Sequence, residues 1–385
     1  MRRILFILLL LAAAVDAGAQ RPQARGFYNL AEMASRNRFA WEYDADFQFH
    51  FDNREFSRSQ DAITPSMTVN TVVFAPTVGF SIQQNARVQH RLTAGVELAH
   101  DLGSQTWSDL PREMLLFYDA HVRTAKGMFE GLAGVFPRRY MEGSYSEAFY
   151  SDSLRFADRN LEGILLKWRS ERFYAELGCD WMGQAGYDRK ERFQVFSAGR
   201  WQAAWWVSLG WTGSFYHYAG SVVAPGVVDN HLLHPWVRLD FSSRTPWQEL
   251  SLQAGPLVGY QRDRVRSAHH QTPIGGEVAA TVRRWNVMLQ NTAYFGQDLQ
   301  PLWHDRDLGG APYGHDLYFG SPFYTGFYDR LEAAWEPALT HYLSLRIAAR
   351  AHFSSAGYLG CQQVLSLRLS LDAMRHRDTA LGRCL

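Results

Sequence analysis

The sequence predicts an all-β fold: a transmembrane antiparallel up-and-down β-barrel of about 16 strands, with a range of roughly 12 to 18. Three observations predict it. No stretch beyond the N-terminal leader is apolar enough for a membrane-spanning helix. Apolar and polar residues alternate over unusually long segments. The connections between these segments alternate between long and short, as they do in barrels that cross a membrane.

The N-terminus has the pattern of a secretory signal peptide. Met1-Arg2-Arg3 precedes an apolar run from Ile4 to Val15, and Ala17-Gly18-Ala19 forms a small-residue cleavage site near Ala19. We therefore expect an exported protein. The predicted organisation is a removed signal peptide (1–19), a short N-terminal periplasmic segment (20–38), an outer-membrane barrel (39–372) and a C-terminal periplasmic tail (373–385).

The first barrel segment shows the alternation most clearly. From Phe39 onward the odd positions are almost all apolar, whereas the even positions are mostly acidic or amide residues. The pattern holds for about 13 residues, which is longer than a strand of a soluble sandwich and long enough for a tilted strand that crosses a bilayer. One face of this strand should contact lipid and the other a wet interior.

The same pattern returns along the chain at hairpin spacing. The predicted strands are 39–53, 68–82, 89–101, 112–123, 128–137, 160–169, 172–182, 192–199, 203–217, 231–242, 248–261, 274–283, 285–296, 322–335, 341–353 and 359–372. An even number returns the chain to its starting side. Aromatic residues near the strand ends predict two interfacial girdles, with Tyr216, Tyr294 and Tyr324 in the extracellular one.

Several stretches of the chain resemble a known class of protein. They are Gly134-Val135-Phe136-Pro137-Arg138, Ser151-Asp152-Ser153 and Asn160-Leu161-Glu162-Gly163. Together with the strand pattern, they resemble the porin-like β-barrels of bacterial outer membranes, and in particular porin-type proteins without an assigned activity. The resemblance implies a location in the outer membrane, with outer-membrane lipids and lipopolysaccharide as neighbours.

Charged residues should concentrate in the lumen where the barrel closes. The first strand must pair with the last, so its acids should lie near Arg368, with Arg346 and Arg350 one strand further on. The candidate pore-lining residues are Glu42, Asp44, Asp46, His50, Arg346, Arg350 and Arg368. Either they create a transverse field that orients polar solutes, or they form an ion-pair ladder that only balances charge.

The long connection 138–159 is a candidate constriction loop, because porins narrow their pore with a loop folded inward. Its charged and aromatic side chains would contact a passing solute. The candidates are Arg138, Arg139, Glu142, Tyr145, Glu147, Asp152, Arg155 and Asp158. A solvated surface loop is the alternative, and the connection 297–321 competes for the same role.

These patterns favour a porin-like channel for passive diffusion of small hydrophilic solutes such as sugars or organic anions. We expect no enzyme, because hydrolase motifs are absent; the nearest fragment places Ser214 and His217 before Asp229. Two alternatives stay open. One is a barrel with a lipid hydrolase or deacylase site on its rim, and the other is a structural, assembly or polysaccharide-export barrel.

Composition limits the partners. A net charge of +1 gives no basic face for nucleic acid. Half of the 14 histidines fall in or near the predicted extracellular loops, but their spacing fixes no ligand set, so no metal and no cofactor are expected.

Overall fold

The computed structural model describes residues 39–60, 63–104 and 113–371. The predicted leader (1–19), the segment 20–38 and the tail 373–385 lie outside the described residues. Within the described residues, no helix is long and apolar enough to cross a membrane.

Sixteen antiparallel strands form a closed barrel in which each strand pairs with its neighbours in sequence and β1 pairs with β16. Both the predicted fold class and the strand number are confirmed. The strands are β1 (Phe39–Phe56), β2 (Met67–Asn85), β3 (Val88–Asp101), β4 (Glu113–Thr124), β5 (Gly127–Pro137), β6 (Asn160–Arg169), β7 (Phe173–Gly183), β8 (Arg192–Ala204), β9 (Val207–Ala219), β10 (Val227–Asp240), β11 (Glu249–Asp263), β12 (Ile274–Arg284), β13 (Val287–Gly296), β14 (Gly326–Trp335), β15 (Leu343–Ser354) and β16 (Gly357–Ser370).

The connections separate into two sets at opposite ends of the barrel. One end, which we name the long-loop end, carries the connections 57–66, 102–112, 138–159, 184–191, 220–226, 264–273, 297–325 and the short 355–356. The other end, the short-turn end, carries 86–87, 125–126, 170–172, 205–206, 241–248, 285–286 and 336–342. Two short helices lie within long connections: α1 (Asp152–Ala157) and α2 (Gly314–Leu317).

Two short turns differ from their predicted places. The β8–β9 turn is Trp205–Trp206 rather than 200–202, and the β12–β13 turn is Trp285–Asn286 rather than position 284. Trp285 and Asn286 have φ of 52° and 63°. Two central residues with positive φ give the hairpin twist that matches a pair of strands, so a one-residue link is geometrically unsuitable.

The alternation has the predicted phase. Asp46, Gln48 and His50 are buried in the lumen, and Trp41, on the opposite face, is 70% exposed toward the lipid. The extracellular girdle is partly wrong, because Tyr216, Tyr294 and Tyr324 are buried and pack against residues of the long loops. Aromatic residues favour strands on either face, so their number alone did not fix their direction.

Leu345 and its neighbour Ser344 provide a test of strand phase. Leu345→Arg puts a charge on the lipid face of β15 and should lower the free energy of unfolding by ~2 to 4 kcal/mol. Ser344→Arg, on the lumen face, should cost much less. The measurement is reversible urea unfolding in lipid vesicles, and equal losses for the two variants would contradict the phase.

Labelling can determine which end faces the outside of the cell. Long loops are extracellular in bacterial barrels, so in a variant with the native cysteines replaced by serine, Gly309→Cys should react with an impermeant maleimide on whole cells. Ser170→Cys, at the short-turn end, should stay unlabelled until the outer membrane is opened. The reverse pattern would show that the orientation is inverted.

Candidate functional site

The predicted charge contact at the barrel closure is present. Asp46 lies near the start of the β1–β16 ladder, and Arg368 donates hydrogen bonds to its two carboxylate oxygens at 3.2 and 3.0 Å. Glu42 and Asp44 lie four and two residues before Asp46 in β1, nearer the short-turn end. They line a small lumen cavity together with Arg91 and Arg139. Acid therefore faces base at the seam between the first and last strands.

Arg346 and Arg350 pair with an acid that the sequence analysis did not single out. Both pair with Glu332 of β14, and the Arg350 Nε to Glu332 Oε2 distance is 2.6 Å. The reason is register, because Glu332 lies directly opposite Arg350 on the neighbouring strand. Glu332 is missing from the sequence-based set, although it alternates with apolar Leu331 and Ala333 and so carried the same signal as the residues that were chosen.

An ion-pair chain runs along the lumen wall from these residues. Acidic and basic groups alternate along it, across β10, β11, β12, β14 and β15. In order, they are Asp240, Arg238, Glu249, Arg283, Glu336, Arg346, Glu332, Arg350 and Asp152. Every member is neutralised by its neighbours, which is the arrangement that buried charges require.

His50 points into the lumen and contacts Ser366 across the seam between β1 and β16. Its Nδ1 lies 2.8 Å from Ser366 Oγ, and its ring stacks on Phe156 of α1 with centroids 4.1 Å apart. A serine beside a histidine is the start of a nucleophilic site. Ser366 is 0% exposed, however, and the strand pair around it is fully hydrogen-bonded, so no lipid substrate reaches it.

The connection 138–159 folds into the lumen, and we name it the plug. It includes the predicted constriction residues, and most of their charged groups are paired. Within the plug or with the wall, the pairs are Arg138 with Asp158 and Asp180, Arg139 with Asp46, Glu142 with Lys167 and Arg169, Glu147 with Arg330, and Asp152 with Arg350. Arg155 donates to the Tyr145 carbonyl oxygen. The solvated surface loop is therefore the wrong alternative.

A glycine lets the plug backbone approach the wall. The amides of Glu142 and Gly143 donate to the Glu176 carboxylate of β7 at 2.8 and 3.0 Å. A Cβ on Gly143 would lie 2.3 Å from the Ala198 Cβ and 2.6 Å from Glu176 Oε1. Any larger residue at 143 would displace the plug from this contact.

The second long connection, 297–325, packs on the plug. The Ser151 amide donates to the Phe319 carbonyl oxygen at 2.8 Å, and the Ser321 amide donates to the Glu147 carbonyl oxygen at 2.6 Å. Trp303 and Leu317 are buried against the inward tyrosines of β9. Both loops that competed for the constriction role thus occupy the lumen together.

Asp152 ties the plug to the wall electrostatically. Burial alone would raise the pKa of its carboxyl, but Arg350 and Arg155 outweigh burial and hold that pKa below its usual range. A carboxyl with a depressed pKa in the folded state stabilises that state above its unfolded pKa, and the contribution is lost as pH falls through the folded pKa. The attachment of α1 to the wall should therefore persist at neutral pH and weaken in strong acid.

A polar patch lies on the outer, lipid-facing side of the same seam. It consists of Asn53 and Glu55 of β1, Thr68 of β2 and Gln363 of β16, and we name it the seam patch. Asn53 is central: its Oδ1 accepts from the Thr68 hydroxyl at 2.7 Å, and its Nδ2 donates to Glu55 Oε1 at 2.9 Å and to Gln363 Oε1 at 2.6 Å.

The direction of the seam patch follows from strand alternation. Asp52 is buried in the lumen, so Asn53 points the other way, and Glu55 and Thr68 are exposed. The ladder places Thr68 and Gln363 directly opposite Asn53 on its two sides. Sequence reasoning missed this patch, because its members come from three strands and none forms a motif.

The catalytic fragment considered from sequence does not form a site. Ser214 is buried in the lumen, whereas His217 lies on the outer face of the same strand. An odd separation along a strand puts two side chains on opposite faces. Asp229 lies opposite His217 in the neighbouring strand, on the lipid side and away from Ser214.

Comparison with known proteins identifies the family. The sequence model of the family described as lipid A 3'-O-deacylase-type matches residues 39–288, so the chain belongs to this family. The chain is an outer-membrane β-barrel protein. No curated protein matches it.

Solved structures show the fold. The chain is similar to a loop L8 deletion mutant of OmpT, an outer membrane protein of Vibrio cholerae, with a TM-score of 0.51, 11% identity, and coverage of 87% of this chain and 100% of that one. It is also similar to in-vitro folded OmpT of the same organism, with a TM-score of 0.51 and 8% identity. That match covers 87% of this chain and 98% of the other. The chain thus shares its architecture with porin-type proteins, but it belongs to the lipid A 3'-O-deacylase-type family.

The family also corrects an expectation. The absence of hydrolase motifs indicated that the chain is no enzyme, and this is wrong, because the matched family is an enzyme family. A hydrolase sequence motif is recognisable only when the catalytic residues lie close together in the sequence. A barrel wall can instead bring catalytic residues together from separate strands.

Acid should loosen the plug. In strong acid, protonation of plug carboxylates such as Asp152 removes their pairs with the wall, so single-channel conductance in planar bilayers should rise. Asp152→Asn should shift this rise to higher pH, while Asp101→Asn, outside the plug, should not. Conductance that is independent of pH in all three proteins would contradict the role of these pairs.

Proposed function

We propose that this protein hydrolyses acyl-ester bonds of lipids in the outer leaflet of the outer membrane, and that the seam patch is the site. The observation that carries the proposal is the Asn53 network, in which an amide, a carboxylate and a hydroxyl face lipid at the long-loop end. Polar side chains on the lipid-facing side of a membrane protein are costly, and they mark functional sites.

Membership of a lipid A 3'-O-deacylase-type family supports this choice of reaction. A lipid A-type substrate carries its acyl esters at the boundary between headgroup and hydrocarbon. The seam patch lies near the ends of β1 and β2 that adjoin the 57–66 connection, and this end faces outward if long loops are extracellular. An ester carbonyl and the patch would then be at similar depths.

The substrate reaches the site from the membrane rather than through the lumen. All sixteen strands pair into a closed wall, and the plug and the 297–325 connection pack together inside it. The buried Ser366–His50 contact is on the wrong side of this wall. Only outward-facing groups can contact a lipid acyl chain without breaking the barrel.

Each member of the patch has a role in ester hydrolysis. The exposed Glu55 carboxylate takes a proton from water as the water oxygen attacks the ester carbonyl carbon. The Gln363 amide donates a hydrogen bond to the oxyanion that forms. Asn53, whose two N–H groups donate to Glu55 and Gln363, holds both side chains in position. The tetrahedral intermediate then expels the alcohol oxygen, which receives the proton from Glu55, and a free fatty acid is released. Thr68 orients the Asn53 amide through its hydrogen bond.

The test is fatty-acid release from purified lipid A in mixed micelles, followed by mass spectrometry. Glu55→Gln should lower kcat by about 10²-fold or more, since general bases contribute about 10² to 10⁴. Asn53→Ala should lower kcat because Glu55 and Gln363 lose the amide that positions them. Folding is checked by heat-modifiable mobility on gels.

Ser366→Ala is the matched control, because Ser366 lies on the same strand pair but faces the lumen. Its activity should equal that of the wild type. Loss of activity in Ser366→Ala with full activity in Glu55→Gln would move the site into the lumen. A folded wild-type protein that releases no fatty acid from any acylated lipid would refute the proposal.

Passive conduction of small solutes is a second hypothesis. The inward charges of Asp46, Arg368 and the ion-pair chain favour a wet interior, while the plug narrows it. Deleting residues 144–156 should increase conductance several-fold if water continues along the lumen on both sides of the plug. Unchanged conductance after this deletion would leave no support for a channel.

A further inference from the structure

A second polar patch interrupts the lipid-facing wall, away from the seam. It lies where β9, β10 and β11 reach the long-loop end, and it consists of His217, Asp229, His231, Arg262 and Arg264; we name it the histidine patch. Six strands separate β2 from β9, and four separate β11 from β16. The histidine patch and the seam patch therefore contact different lipid molecules.

The outward direction of the patch follows from its inward neighbours. Tyr216, Tyr218 and Val228 are buried in one lumen cluster, so His217 and Asp229 point outward. On β11, Asp263 accepts a hydrogen bond from the Tyr313 hydroxyl of the 297–325 connection inside the barrel. Arg262 and Arg264, on either side of Asp263, therefore face the membrane side.

The strand register builds the patch. Asp229 lies directly opposite His217 of β9 and Arg262 of β11. Arg264 holds the Asp229 carboxylate with two hydrogen bonds, Nε to Oδ2 at 2.7 Å and Nη2 to Oδ1 at 2.8 Å. One acid is thus balanced by one guanidinium, which leaves Arg262 as the unbalanced cation, with the two imidazoles beside it.

The Arg262 side chain is fixed by one hydrogen bond and keeps donors for a ligand. Its Nε donates to the Ser267 carbonyl oxygen at 3.0 Å, and within the described residues its two terminal nitrogens have no partner. Aromatic rings fix the imidazoles: His217 stacks on Phe193 with centroids 4.8 Å apart, and His231 lies between Phe215 and Tyr260. The rings also supply an apolar surface beside the cations.

We infer that the histidine patch binds the phosphate monoester of an outer-leaflet lipid, with Arg262 as the main contact and the imidazoles beside it. A guanidinium with two free donors matches two phosphate oxygens. The surrounding phenylalanine and tyrosine rings match acyl chains, which a free phosphate ion lacks. The assignment is independent of ester hydrolysis at the seam patch.

The test is isothermal titration calorimetry of the refolded full chain in a non-ionic detergent. The probes are dihexanoyl phosphatidic acid, dihexanoyl phosphatidylcholine and inorganic phosphate. Phosphatidic acid should bind more tightly than phosphatidylcholine. Arg262→Gln, which leaves the Asp229–Arg264 pair intact, should weaken phosphatidic acid binding about fivefold, as expected for one cation at a membrane surface. Arg262→Lys should retain part of the affinity.

Arg284→Gln is the matched control, since Arg284 stacks on Trp285 at the short-turn end and should leave binding unchanged. Equal binding of the two lipids, or full affinity in Arg262→Gln, would overturn the inference. Inorganic phosphate that binds as tightly as phosphatidic acid would identify free phosphate as the ligand and would overturn the lipid assignment.

Discussion

Closure of the hydrogen-bonded wall is the constraint on which the rest of this structure depends. Hydrocarbon offers no partner to a backbone N–H or C=O group, so a sheet can cross a membrane only when its first and last strands pair. Here the β1–β16 ladder runs from Asp46 opposite Ser370 to Phe56 opposite Gly360. Closure fixes the phase of every strand, and phase decides which side chains meet inside and which contact lipid.

Inside the wall, charge has to be balanced locally. A carboxylate or guanidinium that leaves bulk water is stable only with a well-placed partner. The plug satisfies this rule, since its Arg139 pairs with Asp46 of β1 and its Glu147 pairs with Arg330 of β14, three strands away across the seam. The lumen is consequently a network of ion pairs around a folded loop, and any flow of solute must compete with these pairs.

Outside the wall, two polar patches depart from the apolar surface. Both lie at the long-loop end, where the headgroups of the outer leaflet would be. The seam patch has amide groups, which suit the polarisation of an ester carbonyl, and a carboxylate, which suits a general base. The histidine patch carries one unbalanced guanidinium, Arg262, which suits a phosphate.

The sequence by itself determined the strands, their number and their inward faces, because side chains alternate with a period of two and this pattern is local. It also predicted the Asp46–Arg368 contact, since closure forces the first and last strands together. Only the tertiary structure decided that Glu332 pairs with Arg346 and Arg350, that both long loops fold into the lumen, and that Asn53 joins Glu55, Thr68 and Gln363. Apart from Asn53–Glu55, these contacts join residues 14 to 310 positions apart, and they depend on strand register and loop folding, which no local pattern specifies.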